Sequence, residues 1–109
     1  MKEFIPESRV EKALTYLAET DEQLGQLVGR VESLYAQIKA KKAVIFLNTE
    51  GSVAERNAVA ECAGPVITLC EEHSNAVADR ETIKLHRRRE ELIIDVWRTC
   101  AASNRRGNV

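Results

Sequence analysis

Residues 10–47 read VEKALTYLAETDEQLGQLVGRVESLYAQIKAKKAVIFL, and the spacing of the apolar side chains in this stretch decides the fold. Val10, Leu17, Leu24, Val31, Ile38 and Ile45 recur every seven residues, and Ala13, Leu14, Leu27, Val28, Leu34 and Tyr35 fill most of the positions three and four further on. A repeat between 3.5 and 3.6 residues predicts one helix over residues 8–47, roughly 55–60 Å long at about 1.5 Å per residue. Its apolar stripe is wider than the seam of a two-stranded coiled coil requires, and a bundle accommodates it better. Polar pairs interrupt the stripe at Thr20–Asp21 and at Lys41–Lys42, where the side chains need a partner or solvent. Gly25 and Gly29 either weaken the middle of the helix or admit a second helix closely.

Outward from this helix, the run Asn48-Thr49-Glu50-Gly51-Ser52 is polar and contains glycine, and Ser52-Val53-Ala54-Glu55 matches the S-x-x-E capping box. It predicts a turn over 48–52 and a second helix from residue 53 to about 103, antiparallel to the first. Gly64-Pro65 falls inside this arm and predicts a kink or break, because proline removes a backbone donor and clashes with the preceding turn. Beyond it the apolar residues include Val66, Leu69, Ile83, Leu85, Leu92, Ile93, Val96 and Trp97. Residues summing to about 100 then face each other. Lys41 and Lys42 come near Glu55 and Glu61, Asp21 near Arg80, and Phe4 and Ile5 near Trp97. The expected architecture is all-α: a single domain over 1–109, a long antiparallel helical hairpin with a flexible basic tail at 104–109. Its surplus apolar surface is expected to make it a homodimer, a four-helix bundle.

Composition supports this class. The chain has 109 residues, 44% hydrophobic and 30% charged, with net charge -1, which describes one small folded unit. Five glycines, two prolines and 5% aromatics are too few for a β-sandwich or barrel. Cys62, Cys70 and Cys100 are odd in number and lack C-x-x-C spacing, so they predict reduced, buried small hydrophobes in a reducing compartment. The opening MKEFIPESRVEK has no apolar core of a signal peptide, and no stretch of 18 apolar residues exists, so a cytoplasmic protein with no membrane partner is expected.

No residue pattern predicts catalysis, a metal or a cofactor. His73 and His86 are thirteen apart without other ligand spacing, and His73 sits on the seam, where it packs. Cys70 with His73 shares a helix face but has no third orienting group. Charge asymmetry is the stronger signal. From Lys84 onward there are seven basic residues, Lys84, Arg87, Arg88, Arg89, Arg98, Arg105 and Arg106, against three acidic ones, Glu90, Glu91 and Asp95. Such a cluster is either a solvated face paired with carboxylates of the other arm or a footprint for nucleic acid. All seven are therefore candidate nucleic-acid contacts.

Ser8-Arg9-Val10-Glu11-Lys12-Ala13-Leu14, Gly51-Ser52-Val53-Ala54-Glu55-Arg56, Val96-Trp97-Arg98 and Asn104-Arg105-Arg106-Gly107-Asn108 carry a resemblance. Nearly end to end, the chain resembles a group of short phage and prophage proteins of unassigned function, although Gly64-Pro65 departs from the group's pattern. The resemblance implies an early or recombination-associated gene cluster, a bacterial cytoplasm and a role near DNA or a host factor. Two functions follow as expectations. The first is a non-enzymatic accessory protein engaging nucleic acid or a nucleoprotein complex through its basic C-terminal end. The second is an adaptor or inhibitor that binds a host or phage enzyme without binding DNA.

Overall fold

The computed structural model describes residues 4–107, and they form three helices: α1 (Glu7–Asn48), α2 (Val53–Cys62) and α3 (Gly64–Gly107). The protein is all-α, with no strand among the described residues. The chain falls into two compact units, to both of which α1 and α3 contribute. One combines α1 up to Leu24 with α3 from Glu81, and the other spans Gly25–Arg80.

The Gly25–Arg80 unit is a helical hairpin. Thr49 closes α1 by donating from Oγ1 to the Ile45 carbonyl at 2.6 Å. Gly51 then takes φ +121°, where a Cβ would be strained and would lie 2.7 Å from Glu55 Oε2. Ser52 caps α2: its Oγ accepts from the Glu55 backbone N–H at 3.1 Å and donates to Glu55 Oε1 at 3.2 Å. Arg56 lies over the Phe46 ring and donates from Nε to the Phe46 carbonyl at 3.0 Å, tying α2 to an α1 carbonyl near the helix end. Lys41 and Lys42, expected to pair with Glu55 and Glu61, have no ion pair among the described residues. Glu55 is turned toward the cap instead.

At Gly64-Pro65 the second arm breaks rather than bends. Ala63 is extended, at φ -64° and ψ 134°, and its carbonyl accepts from the N–H groups of Val66 and Ile67, both at 3.0 Å. Pro65 thereby falls in the first turn of α3, where its missing N–H leaves no bond unmade. The break positions Ala60 and Val66 as buried residues. Further along, Val31, Leu34 and Ala76 form the core of this unit, covered by Leu69 and Val77. Gly25 and Gly29 have nothing within 4 Å of an added Cβ, so no described residue approaches α1 closely there.

The other unit is an antiparallel helix pair. Val10, Ala13 and Ile94 are its core, with Ile5, Leu17 and Trp97 packed against them. Trp97 is thus a packing residue, and it lines one small cavity together with Phe4 and Ile5. Asn104–Gly107 continue α3, where a flexible tail was expected; the rest of that tail, Asn108 and Val109, lies outside the described residues. The cysteines also depart from expectation. Cys62 and Cys70 are exposed and Cys100 is half-buried, because seven-residue seams running between paired helices leave most of each helix surface open.

Both arms keep a strict heptad seam. On α1 it runs through Val10, Ala13, Leu17, Thr20, Leu24, Leu27, Val31, Leu34 and Ile38, all buried or half-buried. On α3 every position at spacing three or four from Val66 to Asn104 is likewise inward, but Arg80, Arg87 and Glu90 occupy three of them. The seam of α3 is polar in its middle.

Candidate interaction surface

That polar seam decides which cationic groups are free. Arg87 turns into the pair formed with α1: its Nη1 donates to the Leu17 carbonyl at 2.8 Å and to Thr20 Oγ1 at 2.7 Å, and its Nη2 donates to Asp21 Oδ1 at 2.6 Å. Thr20 passes the chain on, donating to the Tyr16 carbonyl at 2.7 Å. Charge-assisted bonds of this kind are about twice as strong as neutral ones. With its side chain only 15% exposed, Arg87 is a strut between helices and leaves the set of nucleic-acid contacts. It also supplies the ion partner of Asp21 for which Arg80 was expected, seven residues or about two turns further along α3.

A second ion pair, built on the buried Glu90, lies one turn away. Arg9 Nη2 donates to Glu90 Oε1 at 2.8 Å and makes an ion-pair contact with Oε2 at 2.7 Å. His86 sits 3.3 Å from Glu90 Oε1 and stacks on Tyr16 with ring centroids 3.8 Å apart. His86 is thus held by an aromatic face and a carboxylate. In the other unit His73 tilts against Tyr35 at 6.2 Å, a packing contact as its seam position predicts.

Six of the expected contacts stay on the surface, all on α3. Lys84 reaches Glu81 at 4.0 Å and Arg98 reaches Asp95 at 3.9 Å, exposed pairs within one turn that hold their cations weakly. Arg88, Arg89, Arg105 and Arg106 are exposed and have no ion pair or hydrogen bond among the described residues. Arg88 and Arg106, about five turns apart at 3.6 residues per turn, point in one direction. Lys84, Glu91, Arg98 and Arg105 share another flank at seven-residue spacing.

Between Arg88, Arg89 and Arg106 the outer face of α3 also carries large apolar side chains. Leu85 is 70% exposed, Leu92 49% and Val96 40%. The seam positions beside them hold Arg87 and Glu90, so these apolar residues stay outside the helix pair. Leu85 and Leu92 are seven residues apart and Val96 four beyond, so with Arg88 and Arg89 between them they form one ridge along the helix.

Among the described residues no three His, Cys, Asp or Glu side chains converge as a metal site would require. Among the described residues no helix is long and apolar enough to cross a membrane. No protein-family model, curated protein or solved structure matches the chain.

Proposed function

We propose that this chain is a non-enzymatic phage-type accessory protein of the bacterial cytoplasm, a helical scaffold that engages nucleic acid or a nucleoprotein complex through the C-terminal half of α3. The observation that carries the reading is the exposure of Arg88, Arg89, Arg105 and Arg106 without any carboxylate partner among the described residues. Guanidinium groups left free on a helix surface neutralise phosphates and release counterions, giving sequence-tolerant, salt-dependent binding. Lys84 and Arg98 add to the field from their weak pairs, and Arg87 does not take part.

The test is fluorescence anisotropy with labelled single-stranded and duplex DNA of equal length, titrated between roughly 50 and 200 mM salt. Affinity is expected to fall steeply over that range. In the variant Arg105→Ala with Arg106→Ala, the slope of log affinity against log salt for duplex DNA should drop by about 2, close to one unit per phosphate contact. Absence of binding at the lowest salt overturns the reading. An unchanged slope removes the C-terminal arginines from the site.

The same reading includes a homodimer. On α1, Leu14 in one unit and Val28 and Tyr35 in the other stand beside the seam and remain exposed, the part of the wide apolar stripe that α3 does not cover. Val28→Glu is expected to raise the dimer dissociation constant by about tenfold or more in sedimentation equilibrium, since it places a charge in the desolvated patch. A wild-type chain that sediments as a monomer at about 100 μM, weaker than a micromolar complex by two decades, would remove dimerisation from the proposal.

The adaptor reading, binding a host or phage protein without DNA, is favoured by one specific observation: the exposed leucines on α3 contribute nothing to a phosphate contact.

A further inference from the structure

We infer that the outer ridge of α3, Leu85–Leu92–Val96 with Arg88 and Arg89, is a docking site for an acidic amphipathic helix of a partner protein. This goes beyond phosphate binding: it shares Arg88 and Arg89 with the phosphate contacts, for which the acidic helix would compete, and rests in addition on the exposed leucines.

The ridge has the dimensions of a helix-recognition face. Leu85 to Val96 is about three turns, roughly 17 Å, and anchors at i, i+7 and i+11 lie along one helix face, as the apolar anchors of helix-in-groove recognition do. The three anchors are 40% to 70% exposed, whereas the seam beneath them is filled by Glu90 and Ile94. The ridge is therefore surplus to the internal core of this unit.

Charge selects the occupant. Arg88 and Arg89 stand in the middle of the ridge, and neither has a partner among the described residues. A second copy docked ridge to ridge would bring these arginines together in a desolvated contact, which opposes self-association. A nucleic-acid backbone would satisfy the arginines and leave the leucines in water. A helix with leucines on one face and carboxylates along its margins satisfies both, burying the anchors while its Asp or Glu residues meet the guanidinium groups bidentately.

The experiment uses the full chain and a fluorescein-labelled helical peptide of about 15 residues, Leu at the i, i+3, i+4 and i+7 positions and Glu elsewhere. Its controls are a peptide of identical composition in scrambled order and one with Lys in place of Glu. Only the ordered acidic peptide is expected to bind. Leu92→Glu and Leu85→Glu should each weaken binding by about tenfold or more, and Arg88→Ala with Arg89→Ala by a similar factor, whereas Arg105→Ala with Arg106→Ala should leave it unchanged. All these positions are exposed, and retained far-ultraviolet circular dichroism separates a lost contact from a lost fold.

Equal binding of the scrambled peptide, or no binding of the ordered one, overturns the inference. So does a dimer that Leu92→Glu converts to monomer, which would assign the ridge to a second copy. DNA binding that requires Leu92 would assign it to nucleic acid. Failure of DNA binding alone overturns the proposed function and leaves the ridge intact, so the two conclusions are judged separately.

Discussion

Arg9→Met is expected to lower the free energy of unfolding by about 3 kcal/mol, the cost of leaving a buried charge without its partner. Glu90 is only 6% exposed at its side chain, and Arg9 is its closest cation, at 2.7–2.8 Å from both oxygens. His86, 3.3 Å from Oε1, is the only other basic side chain placed against this carboxylate among the described residues. The double change Arg9→Met with Glu90→Leu should recover most of the loss, because two apolar residues of similar size remove both the charge and its desolvation penalty. Urea unfolding followed by circular dichroism measures both variants. Equal destabilisation by the single and double changes would show that the packing of Glu90, rather than its charge, holds this layer.

The other large effect is expected at Leu34. Leu34→Ala should cost about 3 kcal/mol, since it opens a cavity among Val31, Ala76, Leu69 and Val77 in a unit with few other buried side chains. The same substitution at Leu85, which is 70% exposed, should change stability by less than about 0.5 kcal/mol. The contrast between two leucines separates the inward seam from the outer ridge by one measurement. A comparable loss at both positions would place Leu85 in a core.

Arg87 shows why charge counting along a sequence overstates a nucleic-acid footprint. In the run His86-Arg87-Arg88-Arg89 the side chains are chemically alike to a reader of the sequence, yet successive residues point about 100° apart. One arginine therefore enters the helix pair and binds Leu17, Thr20 and Asp21, while its two neighbours face solvent. The polar interruption at Thr20–Asp21 is the legible half of this contact. It announces a partner on the other arm, but not which of two inward-facing arginines supplies it, Arg80 or, about two turns further along the same seam, Arg87.

The inward face of the first arm was legible because its seam is apolar except at Thr20. Val10, Leu17, Leu24, Val31 and Ile38 repeat at seven, and a period of that kind has one structural solution, a helix with those residues inward. The capping box at Ser52 and the φ demand met by Gly51 are equally local, set by a few adjacent residues.

The second arm was only half legible, and the physical reason is that hydrophobicity and burial part company there. Leu85, Leu92 and Val96 are apolar and outside; Arg87 and Glu90 are charged and inside. A charged residue enters a seam when a partner across the pair meets it, and that partner lies 66 to 81 residues away in the chain. Sequence alone determined an all-α chain, its turn and the inward face of α1. Only tertiary pairing, through Arg9, Thr20 and Asp21, decided which face of α3 is core and hence which arginines and leucines remain free to bind.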